Sequence, residues 1–513
     1  MTTTMAILKK FKPSSDSKTT KGFYFGHTEA EGENKSEQQN LVSFFEDYLG
    51  VLPSIHNEKF LFIGRKGSGK SAIAKFIKDS SDKEEDSFAD IIKFNDIELE
   101  KLIQNIPADQ KDNIETLIFE WLILVRLIRL FVKNESAVYT EEHKKFKHFI
   151  ERNAGFAEID KYHIDEIIQK KKLEISIDVL KHVFGPTIGK YVDTRSSKAP
   201  FYQFVNPLKE IVQQVLDYDV FSSKEFIILF DDLDIKFKAD SEVSKQKLLS
   251  LLRAARDLNT GIFKNTSARV LVFLRDDIRD VLETKDSDTS KMFSSYAIPL
   301  TWYDHYNFKQ EENKVNLKKF ANKRIALNFE ANDLPYNKND PWYSLFSSDN
   351  YDLQGKSSFK YFLDYTFYRP RDIVLFLSEV GETEYSYPLN TNCIKALIHK
   401  FIQANIKELK SELTIHFSSD ETKLLFEVLK SLSSSAEVNG RDNVIKLIEK
   451  KLPNHNSSSI LKFLIDYSIL VLIDSDNKLY FNYRNNELET IDFENLNLTC
   501  HKSIFRYFNP EKR

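Results

Sequence analysis

Phe60-Leu61-Phe62-Ile63-Gly64-Arg65-Lys66-Gly67-Ser68-Gly69-Lys70-Ser71 is the stretch on which the fold turns. Four apolar residues run into G-x-x-x-x-G-K-S, and Ala72-Ile73-Ala74-Lys75-Phe76-Ile77 follows with helical spacing. A buried strand, a tight glycine loop and a helix start, in that order, predict a phosphate-binding loop. Such a loop wraps phosphates in its own backbone N–H groups, so Gly64, Gly67 and Gly69 are expected to keep side chains out of the way. The helix opening at Lys70, Ser71 and Ala72 adds free N–H donors and partial positive charge. Arg65, Lys66 and Ser68 complete the expected cofactor-binding set. Lys70 is expected to reach the β- and γ-phosphates, and the Ser71 hydroxyl to ligate Mg²⁺. Only 14 glycines occur in 513 residues, so an accidental glycine turn of this spacing is a poor alternative. The stretch predicts a nucleoside-triphosphate site.

A second element completes the prediction. Phe226-Ile227-Ile228-Leu229-Phe230 is a continuous apolar run ending in Asp231-Asp232-Leu233-Asp234. Such a run suits a central parallel strand covered on both faces, whose carboxyl end opens toward a ligand. Asp231 is then the expected second carboxylate for Mg²⁺, through a water, and Asp232 the general base that polarises the attacking water. Asp234 reads as a helix-capping or surface residue. Arg269-Val270-Leu271-Val272-Phe273-Leu274 is another buried strand, closing on Arg275-Asp276-Asp277. Arg275 has two readings, a sensor of the γ-phosphate or a structural ion pair with a neighbouring Asp. Ile298-Pro299-Leu300-Thr301-Trp302 reads as a last short strand, and Ile91-Ile92-Lys93-Phe94 as the strand after the loop helix.

The intervening chain is mostly helical in pattern. About 155 residues separate Ser71 from Phe226, whereas one strand–helix–strand unit needs about 30. A helical insertion is therefore expected at about 96–206, with Leu173 to Ile177 as a short strand within it. Trp121 to Val132 is the most apolar run, but Arg126 and Arg129 interrupt it, so it predicts a buried helix and no membrane span. Val243 to Leu258 is amphipathic. Its Arg253 and Arg256, three apart, read either as a solvated basic face or as arginines reaching a γ-phosphate across a subunit boundary.

Residues 1–40 read as a polar lead-in, ordered around Phe23-Tyr24-Phe25, and residues 41–303 as the nucleotide-binding core. Residues 304–411 read as a helical lid. Within the lid, Tyr368-Arg369-Pro370-Arg371-Asp372 marks a helix start fixed by proline. Arg371 is expected either to bind phosphate from the lid side or to pair with Asp364 or Asp372. From Glu412 the pattern changes to three helices, Glu421 to Leu432, Asn443 to Lys451 and Ser458 to Tyr467. A hairpin through Leu470 to Ile473 and Leu479 to Tyr483 follows. Three helices and a hairpin predict a winged-helix domain over 412–513. Ser458 to Tyr467 offers a DNA groove only Lys462, with Asp466 against it, so protein contact is favoured over DNA contact.

Composition agrees with a soluble globular chain. A net charge of −4 does not announce a nucleic-acid binder. Two cysteines, Cys393 and Cys500, support neither a disulfide framework nor a zinc site and suit a reducing cytoplasm. The N-terminus has no apolar core long enough for a signal peptide.

These motifs resemble the STAND/AAA+ side of the P-loop ATPases, and most closely a bacterial group with a C-terminal winged helix. The matching residues are Gly64 to Ser71, Asp231-Asp232-Leu233-Asp234, Leu274-Arg275-Asp276-Asp277, Trp302 and Arg369-Pro370-Arg371-Asp372. The resemblance implies a Walker A loop, Walker B acids, a sensor-1 strand and a sensor-2-like arginine. It implies an α/β fold, a parallel sheet flanked by helices, that binds and hydrolyses ATP. It also implies a homo-oligomeric ring or cluster, and an anti-phage setting in which the effector is a separate protein. Asp232 stands where an AAA+ enzyme has Glu, which fits a slow switch. The competing expectation is a DNA-binding ATPase of initiator or loader type.

Overall fold

The computed structural model describes residues 18–36, 39–93, 114–152, 174–176, 198–235, 237–283, 287–304, 311–348, 353–435, 438–483 and 496–511. They fall into two compact units. The first comprises residues 50–66 and 70–300; the second comprises 1–49, 67–69 and 301–513. Much of the expected insertion, and the sequence around Gly185-Pro186, lies outside the described residues.

In the first unit, β1 (Leu61–Ile63), β2 (Ser87–Lys93), β3 (Glu225–Asp231), β4 (Ala268–Leu274) and β5 (Ala297–Pro299) form one parallel sheet among the described residues. Their spatial order is β2-β3-β4-β1-β5. β3 and β4 are apolar on both faces because helices cover both, and their side chains are buried almost throughout. Phe62 of β1 stacks on Phe273 of β4 with ring centroids 4.8 Å apart, locking the loop strand to its neighbour. β2 begins at Ser87, four residues before the expected Ile91; its first half, Ser87-Phe88-Ala89-Asp90, mixes polar and apolar residues without regular alternation. β5 is shorter than Ile298 to Trp302: pairing stops at Pro299, and Leu300 donates its N–H to the Ile63 carbonyl at 2.7 Å.

Helix α1 (Lys70–Ser81) leaves the loop at Lys70, as the spacing predicts. α2 (Ile114–Lys133) contains the most apolar run and buries Trp121, Leu122, Ile123 and Leu124. Its one buried acid, Glu120, is matched by Lys209 at 2.6 Å, and Arg126 pairs with Asp90 at 3.3 Å. No described helix is long and apolar enough to cross a membrane. α3 (Glu242–Thr260) is the amphipathic helix expected over Val243 to Leu258. Its Arg256 pairs with Asp257 at 3.0 Å and Asp288 at 2.8 Å.

The second unit is built on α4 (Asn316–Ala331), α5 (Pro370–Glu382) and α6 (Thr391–Leu413). The N-terminal aromatics belong to its core. Phe23 packs edge-on against Phe329, and Phe25 is buried. Glu33 pairs with the buried Arg324 at 2.7 Å, and the Arg324 guanidinium lies over the rings of Phe44 and Phe320. The stretch before Asn40 is therefore more than a polar lead-in.

α5 starts where Pro370 fixes it, and its cap is charged. Arg369 bonds Asp372 at 2.9 Å, Glu412 at 2.7 Å and Asn405 at 3.0 Å, all buried. Asp372 also accepts the N–H of Phe367 at 2.8 Å. Arg369→Ala would leave Asp372 and Glu412 buried without their cation, and is expected to cost about 3–5 kcal/mol. Urea unfolding followed by circular dichroism checks this; a loss below about 1 kcal/mol would contradict it.

C-terminal to α6 come α7 (Ser419–Ser435), α8 (Arg441–Lys451) and α9 (Ser457–Asp466). β6 (Leu470–Ile473) and β7 (Leu479–Tyr480) then form the expected hairpin, its turn held by Asp474 accepting the N–H groups of Asp476 and Lys478. A third strand, β8 (Asn497–Cys500), was not foreseen. It pairs antiparallel with β6, giving the order β7-β6-β8, and α10 (Lys502–Phe508) follows it. Four mixed residues carry no alternation long enough to read.

Candidate functional site

The carboxyl ends of β1, β3 and β4 bring the predicted chemistry of the first unit together. β4 lies between the loop strand β1 and the acidic strand β3, so Arg275, just past β4, is placed between Lys70 and the acids. Lys70 donates to the carbonyls of Gly64 at 2.8 Å and Arg65 at 3.0 Å, so its ammonium lies in the mouth of the loop. Burial, and then the neighbouring Arg275, depress its pKa; Asp276, Asp234 and Asp231 oppose the shift. A lysine under that pressure gains stabilisation from an incoming anion.

Asp231 is buried, and the Ser71 hydroxyl lies near enough to favour its ionised form. Burial first, and the Asp232 carboxylate second, push its pKa up to about 6. The two residues expected to hold Mg²⁺ are thus neighbours in the fold. A buried carboxylate strained by a like charge suits a cation.

Asp232 follows immediately, with φ 56°. That left-handed backbone turns its side chain away from the line of the strand, an uncommon conformation for a residue other than glycine. Its carboxylate faces Lys93 at 3.4 Å, and Lys93 is the residue in register with Asp231 on the neighbouring strand. Lys93 had no signal in the sequence, because only the strand register brings it to the acids.

Arg275 forms the ion pair that one of its two readings names. It is nearly fully buried, meets Asp277 through two bonds of 2.9 and 2.7 Å, and bonds Asp234 at 3.1 Å. Asp234 is therefore neither a helix cap nor a plain surface acid. It ties the turn after β3 to the end of β4.

The loop tip, Gly67–Gly69, groups with the second unit. Gly67 has φ 81° and Gly69 φ 101°, whereas Gly64 is not among the glycines of positive φ. The conformational demand thus falls on two of the three glycines. Within the second unit, Trp302 Nε1 donates to the Ser68 carbonyl at 2.8 Å, and the Arg371 N–H donates to the Gly67 carbonyl at 3.3 Å. The Arg371 guanidinium is directed elsewhere: Nε and Nη2 bond the Thr28 carbonyl at 3.2 and 3.0 Å, and Nη1 pairs with Glu408 at 3.1 Å. Neither expected acid holds it, since Asp372 takes Arg369, and Asp364 takes Lys356 and Lys502. Ser68 is buried and its hydroxyl has no hydrogen-bond partner among the described residues.

A methyl group at Gly67 would stand 2.9 Å from the Arg371 Cβ, in addition to adopting positive φ. At Gly69 nothing lies within 4 Å, so only the backbone cost of about 1–2 kcal/mol remains. Gly67→Ala is therefore expected to destabilise the chain more than Gly69→Ala, as measured by urea unfolding. The reverse order would contradict this geometry.

The strand order, the glycine loop running into α1 and the acid-bearing β3 make this a P-loop nucleoside-triphosphatase fold. Comparison with known proteins adds the following. Residues 315–395 match the family described as the FunZ-associated C-terminal helical domain. That span covers α4, α5 and the first residues of α6. The putative transposon gamma-delta 80.3 kDa protein of Escherichia coli strain K12 is 23% identical over 479 residues, covering 90% of this chain and 63% of that protein. The chain thus spans under two thirds of the length of this curated relative. Among solved structures, the Walker-type ATPase PABY2304 of Pyrococcus abyssi aligns over 89% of this chain and 95% of its own. Its identity is 11% and its TM-score 0.35. The ADP form of the ORC2 protein of Aeropyrum pernix aligns over 90% of each chain, with 11% identity and a TM-score of 0.29.

Proposed function

We propose that this chain is an ATP-binding and ATP-hydrolysing switch of STAND/AAA+ type, in which nucleotide state governs self-assembly. The observation that carries this reading is the convergence at one end of the sheet. The Lys70 ammonium lies in the loop mouth, and the Ser71 hydroxyl lies near the buried carboxylate of Asp231.

In this reading the backbone of Gly64 to Ala72 cradles the phosphates and Lys70 exchanges its loop carbonyls for β- and γ-phosphate oxygens. Ser71 and Asp231 would hold Mg²⁺, which would supply positive charge to neutralise the phosphates. Asp232 takes a proton from the attacking water as its oxygen bonds to the γ-phosphorus and the bond to the bridging oxygen breaks, yielding ADP and inorganic phosphate. Lys93 holds the Asp232 carboxylate in place. Asp is shorter than Glu and reaches a water less readily, so turnover is slow. Arg275 senses the γ-phosphate by giving up Asp234.

The domain arrangement fits an input-and-output device. Residues 304–411 act as a lid, and α7 to α9 with the β7-β6-β8 sheet as a winged helix that contacts protein. The chain works in the cytoplasm as a homo-oligomer, in an anti-phage setting with a separate effector. The alternative is a DNA-binding ATPase, favoured by the exposed Lys446 and Lys450 on α8 and by the transposon in the relative's name. Against it, Lys462 and Asp466 offset each other on the exposed face of α9.

Phosphate release from ATP–Mg²⁺ by the full chain tests the reading. Slow turnover, unchanged by duplex DNA, is expected. No release above that of a Lys70→Ala control would contradict hydrolysis, and strong stimulation by DNA, lost at raised salt, would favour the alternative.

A further inference from the structure

We propose that a groove in the second unit, formed by the end of α6, one face of α7 and α10, is a separate binding site for a nucleoside phosphate. It encloses about 620 Å³, inside the range of about 300–1,000 Å³ typical of small-molecule sites. None of Lys70, Ser71 or Asp231 lines it.

Its floor is aromatic. Phe426 of α7, 7% exposed, lies with its ring centroid 6.4 Å from that of Phe508 on α10. Three ammonium groups border this floor: Lys410 from α6, and Lys423 and Lys430 from α7. Lys423, Phe426 and Lys430 share one helix face, being spaced three and four apart. The Lys410 ammonium sits 4.6 Å from the centre of the Phe426 ring and 5.7 Å from that of Tyr507, so the rings aim its charge over the floor.

The acids beside the groove are already answered. Asp420 pairs with Lys423 at 2.8 Å, and Glu427 pairs with Lys451. Lys410 has no salt bridge among the described residues, and Lys430, whose charge bears on the groove-lining Glu427, leaves the close pairing of that acid to Lys451. In the wall, Thr422 is 6% exposed, and its hydroxyl has no hydrogen-bond partner among the described residues. A buried hydroxyl in that state is a cost that a ligand oxygen can remove.

Three features select the ligand. Lysines, as compact point charges, suit phosphate, whereas arginine forks suit paired carboxylates. An aromatic floor suits the face of a base. The volume is that of a small molecule, while a stable protein partner would need about 800 Å² on each side. Phosphate on Lys410 and Lys430 with the base against Phe508 meets all three. Such a site gives a nucleotide-driven switch a second, independent input.

The test titrates the full chain carrying Lys70→Ala with AMP by calorimetry at low salt. Saturable binding is expected, weakened about tenfold by Lys410→Ala and about tenfold by Lys430→Ala, the loss of one charged contact each. Inorganic phosphate is expected to bind more weakly and to depend on the same two lysines. Both lysines are exposed, so an unchanged thermal melt is the control for folding. Absence of saturable AMP binding, or binding indifferent to both lysines, would overturn the proposal. So would tighter binding of a 5′-phosphorylated oligonucleotide than of AMP with the same lysine dependence, which would assign the groove to nucleic-acid ends. ATP titrated into the full chain carrying Lys70→Ala, Lys410→Ala and Lys430→Ala together separately reports the loop: its retention there would count against the phosphate-loop reading and leave the groove untouched.

Discussion

Lys70→Ala is expected to weaken ATP binding about a hundredfold or more, the value of two lost charge-assisted contacts to phosphate. The ammonium is held at the loop mouth by the Gly64 and Arg65 carbonyls. Burial first and Arg275 second lower its pKa, so its charge is desolvated in the folded chain. Removing it relieves a desolvated cation, so the fold is expected to survive while the phosphates lose their counter-charge. Calorimetric titration of ATP–Mg²⁺, paired with thermal melts, separates the two effects. Retained ATP affinity with an unchanged melt would remove the phosphate loop from the account.

The second large effect is expected from Asp232→Asn, which should bind ATP with near-native affinity and hydrolyse it at least about tenfold more slowly. Asparagine preserves the size of the side chain but cannot accept the proton of the attacking water. It also gives up the charge facing Lys93 at 3.4 Å. Pre-steady-state phosphate release under single-turnover conditions isolates the chemical step. An unchanged rate would move the general base to another residue, and a parallel loss of affinity would make Asp232 a binding residue instead.

The parts of this site that could be read in the chain are those set by local pattern. β1, β3 and β4 are continuous apolar runs, and Gly67, Gly69 and Lys70 follow β1 without interruption, so strand, loop and helix start were all legible. What could not be read depends on long-range pairing. Nothing near Lys93 announces that it stands in register with Asp231, and nothing near Asp234 announces Arg275 as its partner. Arginines were the least legible, because the same residue serves an ion pair or a phosphate according to what folds beside it. Arg371 found Thr28 and Glu408, 343 and 37 residues away in the chain. The Ser87 half of β2 and the whole of β8 were missed for a simpler reason, since short mixed strands lack the alternation that marks a half-buried sheet.

The central claim, that ATP drives assembly, is tested most directly by mass photometry of the full chain. Three samples suffice: no nucleotide, ATP–Mg²⁺, and Asp232→Asn with ATP–Mg²⁺. The account predicts a discrete larger species with ATP, and its accumulation in the variant, where hydrolysis no longer dissolves it. A mass that is the same in all three would contradict the switch.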